Sequence, residues 1–241
     1  ISVIPNWVDD AAIVPIDGSA NPLRHEWALN NKFVVAYSGN LGRAHDVETL
    51  LGAAERLNAR TDVIFLFSGS GHGIADLGAE VCKRKLTNVL FKPYQPRDLL
   101  PQSLGVGDVH WLSLKTGLDG LILPSKFYGI AAAGRPIIVI GSLDGELSRL
   151  VSQSDCGFRV GLGQCDDLAR VIIALEADRP RCRQMGLNAR RLLDERFTKA
   201  EALERWQAVL QTVAGVAPAQ SPRGGHFGEV DAPAAASSDP P

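Results

Sequence analysis

Three short loops hold the residues whose types and spacing could do chemistry. "YSGNLGRAHD", residues 37–46, offers Gly39 and Gly42, where a backbone can approach a bound group closely, with Arg43 and His45 as polar groups beside them. It reads either as a cradle for phosphate or sugar or as a strand-to-helix turn that needs glycine for its own geometry. The residues alone leave both readings open. "FSGSGHG", residues 67–73, superficially resembles a dinucleotide fingerprint, but its spacing is G-x-G-x-G rather than G-x-G-x-x-G. The strand that follows ends "LFKPYQP", without the carboxylate a dinucleotide ribose requires, and the first loop fails the same test because its next strand ends "FLFSG". Nicotinamide binding is disfavoured, and Gly69, Gly71 and Gly73 read as a tight turn. "LKTGLDGLILPSKFYG", residues 114–129, carries Gly117 and Gly120, a single acid in Asp119, and Ser125 placed to cap a helix. Lys126 falls in that helix's first turn, against the positive end of its dipole, and a mid-helix glycine such as Gly129 costs about 0.5–1 kcal/mol. A bound anion makes sense of Lys126, because free amides, dipole and ammonium would converge on one negative group. The plain alternative is a lysine snorkelling into solvent. The anion reading is favoured, since all three loops should open on one sheet edge.

Other chemistries lack their signatures. There is no GxSxG elbow, no HExxH and no P-loop. His25, His45, His72, His110 and His226 are scattered; His110 lies within a strand pattern and reads as structural, whereas His45 sits in a loop at the ligand edge. Cys82, Cys156, Cys165 and Cys182 are widely spaced, with neither a metal-site nor a disulfide pattern, which suits a reducing cytoplasm. No visible ligand set calls for a metal or a cofactor. A net charge of −2, from 25 basic and 27 acidic residues, argues against nucleic acid as a partner. No apolar run approaches the roughly 20 residues of a membrane-spanning helix, and no signal peptide is recognisable. The opening "ISVIPNWVDD" lacks a methionine and reads as the middle of a longer chain, so a fragment is expected.

The elements that must position these loops follow from periodicity. From residue 33, the runs "FVVAY", "VIFLFS", "NVLFK", "DVHWLSL" and "PIIVIG" alternate with helical segments, and "CGFRV" adds a further short strand. Val47, Leu50, Leu51, Ala54 and Leu57 recur with helical period behind a capping Asp46, as do Leu168, Val171, Ile172 and Leu175. Near-continuous apolar strands separated by helices predict a doubly wound α/β domain, a parallel sheet covered on both faces. After residue 178 the pattern is purely helical. Thr198 and Glu201 form a capping box ahead of Leu203, Trp206, Val209, Leu210 and Val213, a stripe usually explained by core packing. From about 215 the chain is rich in Pro, Ala, Gly and Ser and is expected to be a disordered tail.

Taken together, "VIPNWVD", "VVAYSGNLGRAHDVETLLGAAERL", "FLFSGSG", "VLFKPYQPRDLL", "GVGDVHWLSL" and "LPSKFYGIAAAGRPI" resemble, in order, the C-terminal half of family-four glycosyltransferases. These are retaining enzymes of GT-B architecture, with two Rossmann-like domains, and the likeness is strongest to bacterial enzymes of capsule, O-antigen or exopolysaccharide synthesis. It covers roughly residues 1–213. The resemblance implies an interdomain linker at 1–32, a Rossmann-like nucleotide-sugar-binding domain at 33–196, and a helix at 197–214 crossing toward an N-terminal acceptor-binding domain not contained in this chain. The tail occupies 215–241. It implies a nucleotide-sugar donor, commonly a UDP-sugar, and a carbohydrate or lipid-linked acceptor. It places the enzyme in the cytoplasm, with peripheral association at the inner face of the plasma membrane.

By the same resemblance, the loop with Gly39, Asn40, Leu41 and Gly42 lies beside the donor phosphates. The backbone of Lys92, Pro93 and Tyr94 faces the base, and Asp119, Gly120, Leu121, Ser125 and Phe127 approach the ribose, diphosphate and sugar. The chain departs from the family at its charged positions. The Glu-x7-Glu pair would fall on Leu121 and Gly129, and the usual Arg and Lys after the first strand would fall on Asn40 and His45. Arg43, His45 and Lys126 are then the candidate catalytic positive groups, with Asp119 replacing one carboxylate. The resemblance also implies that the α-helical stripe with Trp206 is partly exposed when the other domain is absent. A GT-B epimerase and a non-catalytic nucleotide-sugar-binding module are the two rivals.

Overall fold

The computed structural model describes residues 2–118, 121–122 and 124–215. The expected doubly wound domain is present. Its six parallel strands are β1 (Phe33–Asn40), β2 (Val63–Ser70), β3 (Val89–Lys92), β4 (Val109–Ser113), β5 (Ile137–Ile140) and β6 (Gly157–Val160), in the order β3-β2-β1-β4-β5-β6. The helices are α1 (Pro22–Glu26), α2 (Glu48–Arg56), α3 (His72–Lys83), α4 (Leu100–Gly105), α5 (Lys126–Ala132), α6 (Glu146–Gln153), α7 (Cys165–Ala177), α8 (Arg179–Arg196) and α9 (Lys199–Val213). No helix among the described residues is long and apolar enough to cross a membrane.

The strands read as continuous apolar runs because both their faces are covered. In β1, Phe33, Val35 and Tyr37 point to one side and join Phe65, Phe67 and Trp111 beneath α2 and α7. Val34 and Ala36 point to the other and join Leu23, Trp27, Leu66 and Val106. The helical stripes close the first core as expected: Leu50, Leu51, Ala54 and Leu57 from α2 meet Leu168, Ile172 and Leu175 from α7. Asp46 caps α2 by accepting the Thr49 amide at 3.1 Å.

Two differences from the sequence expectation concern the candidate loops. β1 and β2 do not stop at "FVVAY" and "VIFLFS" but run on in register, with Gly39 paired to Gly69 and Asn40 to Ser70. Glycine permits this close pairing: a Cβ on Gly69 would lie 2.1 Å from the Gly39 carbonyl oxygen, and its φ of +153° disfavours any side chain. The tight-turn reading of the second loop holds only for Gly71, which precedes α3 with φ +127°; Gly69 belongs to β2 and Gly73 to the first turn of α3.

At the C-terminal end, the Thr198 side chain accepts the Glu201 amide at 3.2 Å, the forward half of the capping box. The α9 stripe is not core packing. Leu203, Trp206, Leu210 and Val213 are 51%, 45%, 61% and 82% exposed, and Ala202 is the buried residue of this helix. The base of α9 is fastened to the entry segment: Val8 bridges Thr198 and the Lys199 amide donates to Asp10 Oδ1 at 3.1 Å, while Arg190 of α8 donates to the Ile13 carbonyl at 2.9 Å. The tail expected from about residue 215 lies, from 216 on, outside the described residues.

Candidate functional site

The strand order reverses between β1 and β4: β1 leads outward to β2 and β3, and β4 leads the other way to β5 and β6. The loops leaving the carboxyl ends of these two strands diverge, and such a switch point is where open α/β sheets leave a crevice for ligands. Arg43, His45, Lys115 and Lys126 all fall on the segments that leave β1 and β4.

Tyr37, the last fully apolar-facing position of β1, organises the crevice. Its ring is 1% exposed, packs 4.7 Å from Trp111, and its hydroxyl donates to the Asn40 carbonyl at 2.7 Å. Burial raises the phenol pKa above its ordinary value. Lys126 lays its ammonium 5.3 Å from the centroid of this ring. Its stem crosses Gly39, where a Cβ would sit 2.8 Å from Lys126 Cε on a backbone of φ +123°. Gly39 is therefore required by its backbone, while the flexible end of the lysine could move aside for a Cβ. Among the described residues no carboxylate lies within ion-pair distance of Lys126. Burial alone pushes its pKa down. A half-buried ammonium held by an aromatic face and lacking an anion is electrostatically incomplete.

His45 lies edge-on to Tyr37, with ring centroids 5.5 Å apart, and its Nδ1 pairs with the Ser113 carbonyl at 3.0 Å. A carbonyl only accepts, so Nδ1 carries the proton and Nε2 of the neutral ring is left as an acceptor. Burial lowers the His45 pKa most, the Ser113 bond opposes this, and Lys126 and Lys115 lower it further. The Lys115 amide donates to the Ala44 carbonyl at 2.9 Å, so the loops after β1 and β4 are joined twice. Arg43 is exposed and makes no ion pair among the described residues.

The two explanations for the first loop's glycines now separate. Gly39 has a folding reason. Gly42 has none: its φ is not positive, and no heavy atom lies within 4 Å of where its Cβ would stand. Leu41 is buried, its amide donating to the Ser70 carbonyl at 2.9 Å, so it anchors the loop through its side chain. Asn40 presents its carbonyl to Tyr37 and its amide side chain to the Gly71 turn.

The remaining candidates divide. Ser125 does not cap α5: it has helical dihedrals, φ −58° and ψ −23°, whereas a capping serine needs extended backbone to turn its oxygen onto the first amides. Phe127 is fully buried against Tyr128 and Phe197, at 5.3 and 5.9 Å, so its side chain belongs to the core. Gly129 sits within α5, and a Cβ there would touch Leu104 at an ordinary 3.5 Å, so packing does not demand glycine. Leu121 is 78% exposed. Asp119 and Gly120 lie outside the described residues. At the end of β3, Lys92 rests 5.4 Å over the Trp27 ring, the Pro93 carbonyl accepts from Ser68 Oγ at 3.3 Å, and Tyr94 is exposed. These three are two strands away from Lys126, across β2.

Tyr37 and Lys115 were not recognisable as site residues from their types: an aromatic in a strand reads as core, and a loop lysine reads as a solvated charge. The placement of Tyr37 two residues before Gly39 is the one sequence signal that points to it. Among the described residues no three His, Cys, Asp or Glu side chains gather into a metal-binding group.

Comparison with known proteins agrees with this fold. WcaI of Escherichia coli (strain K12), a glycosyl transferase named for colanic acid biosynthesis, is 35% identical over 148 residues, covering 61% of this chain and 36% of that protein. WbjE of Pseudomonas aeruginosa, named as a glycosyltransferase, is 25% identical over 209 residues, 86% of this chain and 51% of that one. The chain thus spans about half or less of the length of these relatives. HepE of Anabaena, solved in complex with UDP-glucose, has the same fold, with a TM-score of 0.73 at 19% identity over 89% of this chain and 57% of HepE. The family model described as Glycosyl transferases group 1 matches residues 21–192. That match runs from the start of α1 into α8 and takes in every strand that builds the crevice: the chain belongs to the glycosyl transferases group 1 family.

Proposed function

We propose that this chain is the donor-binding half of a retaining, family-four GT-B glycosyltransferase. The enzyme transfers a sugar from a nucleotide-sugar, a UDP-sugar in the first instance, to a carbohydrate or lipid-linked acceptor in cell-surface polysaccharide synthesis. The observation that carries this reading is Lys126, a half-buried ammonium at the β1/β4 switch point with no carboxylate partner among the described residues. A donor diphosphate supplies the missing anion. The names of WcaI and WbjE and the UDP-glucose held by HepE support the choice of reaction and donor.

In this mechanism the protein's main task is to stabilise the departing diphosphate, and groups already fixed in a poorly hydrated crevice do this without reorganising. Lys126 contributes positive charge from its half-buried position, and Arg43 adds another from the exposed side of the loop. His45, neutral because its surroundings disfavour the imidazolium, offers Nε2 to a substrate hydroxyl. The open space beside Gly42 admits the phosphates to the loop backbone. Gly39, Asn40 and Leu41 shape that loop, the backbone of Lys92, Pro93 and Tyr94 takes the base, and Asp119, Gly120, Leu121, Ser125, Phe127 and Gly129 border ribose and sugar. Residues 1–32 link to an acceptor-binding domain, 33–196 hold the donor, and 197–214 cross toward that domain through the exposed face of α9. The chain on its own is inactive, since acceptor binding belongs to the other domain, and the full enzyme works in the cytoplasm at the inner face of the plasma membrane.

Titration calorimetry of this chain with UDP, GDP and UDP-glucose tests the donor site. Absence of binding to well-folded protein overturns it. With the two-domain enzyme, turnover of donor without acceptor would indicate an epimerase instead, and product anomers resolved by NMR decide retention.

A further inference from the structure

A second cavity, of about 470 Å³, lies at the opposite edge of the sheet. Asp108, just ahead of β4, and Pro136, just ahead of β5, border it, and Arg179 stacks 4.6 Å from the ring of Phe33 at the start of β1. Its charged lining consists of Arg24, Arg135, Arg179, Arg183, Asp17 and Asp108.

Two of the four arginines are matched. Asp108 takes Arg24 at 3.1 Å and Arg179 at 3.2 Å, and Arg24, 3% exposed, spends its other hydrogens on the carbonyls of Val106, Leu29 and Lys32. Asp17 accepts the Ser19 amide and hydroxyl at 2.8 and 2.6 Å and pairs with no cation among the described residues. Arg135 and Arg183 form no ion pair at contact distance among the described residues and share the Asp17 carboxylate only at longer range. Arg135 Nη2 reaches the carbonyls of Ile16 and Gly105 at 2.5 and 2.8 Å, while its Nε is buried with no partner. Burial acts most strongly against the Arg135 cation and Arg24 adds to it, with Asp108 and, more weakly, Asp17 opposing them. Arg183 lies on the exposed side of α8 and forms no ion pair among the described residues. Four guanidinium groups facing two carboxylates leave a surplus of two positive charges in one concave space.

Concentrated like charge in a partly desolvated cleft draws in an anion of matching valence. Guanidinium forks suit phosphoryl oxygens in particular, and the cavity volume falls within the range of small-molecule sites. We propose that this cavity binds a small phosphate monoester at a site separate from the switch-point crevice, with Arg135 and Arg183 contacting the phosphoryl group. This inference does not depend on the donor-site reading, because the two sites lie at opposite ends of the strands.

The test uses this chain carrying Lys126→Ala, so that a phosphate contact at the other crevice is removed in every arm. Calorimetric titration with glucose 1-phosphate should show saturable binding of one equivalent. Adding Arg183→Glu, an exposed substitution, should weaken it by about tenfold or more, as expected for loss and reversal of one charge-assisted contact, with unchanged thermal unfolding. No saturable binding, or equal affinity with and without Arg183→Glu, overturns the proposal. Inorganic phosphate binding as tightly as the ester overturns the monoester assignment.

Discussion

Replacing Lys126 with methionine separates what this residue does for the fold from what it does for the ligand. The methionine stem keeps the length that crosses Gly39 and the contact with Tyr37, and removes only the charge. In the free protein, burial acts against the ammonium and pushes its pKa down. The aromatic contact returns about 0.5–1 kcal/mol of that cost. Stability should therefore stay within about 1 kcal/mol of the parent, and any change should be upward. Binding should respond differently. One charge-assisted contact to a diphosphate contributes about 1.5–3 kcal/mol, so UDP affinity should fall roughly 10- to 150-fold. The assay is calorimetric titration of parent and Lys126→Met with UDP and, as a control lacking phosphate, uridine. Uridine affinity should be the same in both. UDP affinity within twofold of the parent, or equal losses for UDP and uridine, would refute the reasoning. A pH series adds a check of sign. Lys126 deprotonates below the usual lysine range, so UDP affinity should decline as pH rises through that lowered value. The stability of the free protein should rise over the same interval, because the unfolded chain still binds the proton there. Lys126→Met should lack both limbs.

Three further outcomes follow from the packing. His110 is fully buried, its Nε2 against the Leu104 carbonyl at 2.8 Å, and burial pushes its pKa down to about 4. Only the unfolded chain takes up the proton between that value and the ordinary histidine range. Its share of stability should thus fall by about 3 kcal/mol as pH drops through this window, read by urea unfolding, with a shallower slope in His110→Leu. Gly69→Ala puts a Cβ 2.1 Å from the Gly39 carbonyl oxygen at φ +153° and should lower stability by more than about 2 kcal/mol; a smaller loss in thermal unfolding would show that the strand tips can part. The double substitution Trp206→Glu and Leu210→Glu falls on exposed positions and should alter stability by about 0.5 kcal/mol or less; a larger loss in thermal unfolding would show that the stripe packs against the domain.

The sheet was legible because its strands are buried on both faces, and continuous apolar runs of β-branched and aromatic residues have few other uses in a mixed α/β pattern. Its tips were not legible. Whether "SGN" is loop or strand depends on Gly39 meeting Gly69, a contact 30 residues away in sequence that no local rule encodes. Lys126 stood out for the opposite reason: it looked misplaced in its helix, and the fold lays it across Gly39 against the Tyr37 ring. Ser125 misled because its type suits a cap while its dihedrals do not. Tyr37 went unnoticed because burial hides the two properties that matter, a face for Lys126 and an edge for His45. The arginines at the far edge were invisible as a group, since Arg24, Arg135 and Arg183 come together only through the fold.

The fastening between residues 8–13 and the start of α9 has a mechanical consequence. Where two segments cross a boundary separately, each can bend on its own, and relative motion is loose. Here the incoming and outgoing segments are tied by a backbone bridge and an amide to Asp10, and the Arg190 guanidinium of α8 holds the incoming one. Any rotation of polypeptide attached ahead of residue 8 is delivered to α9 through the same clamp. The segment around Val8 and Asp10 and the start of α9 are therefore held as one piece.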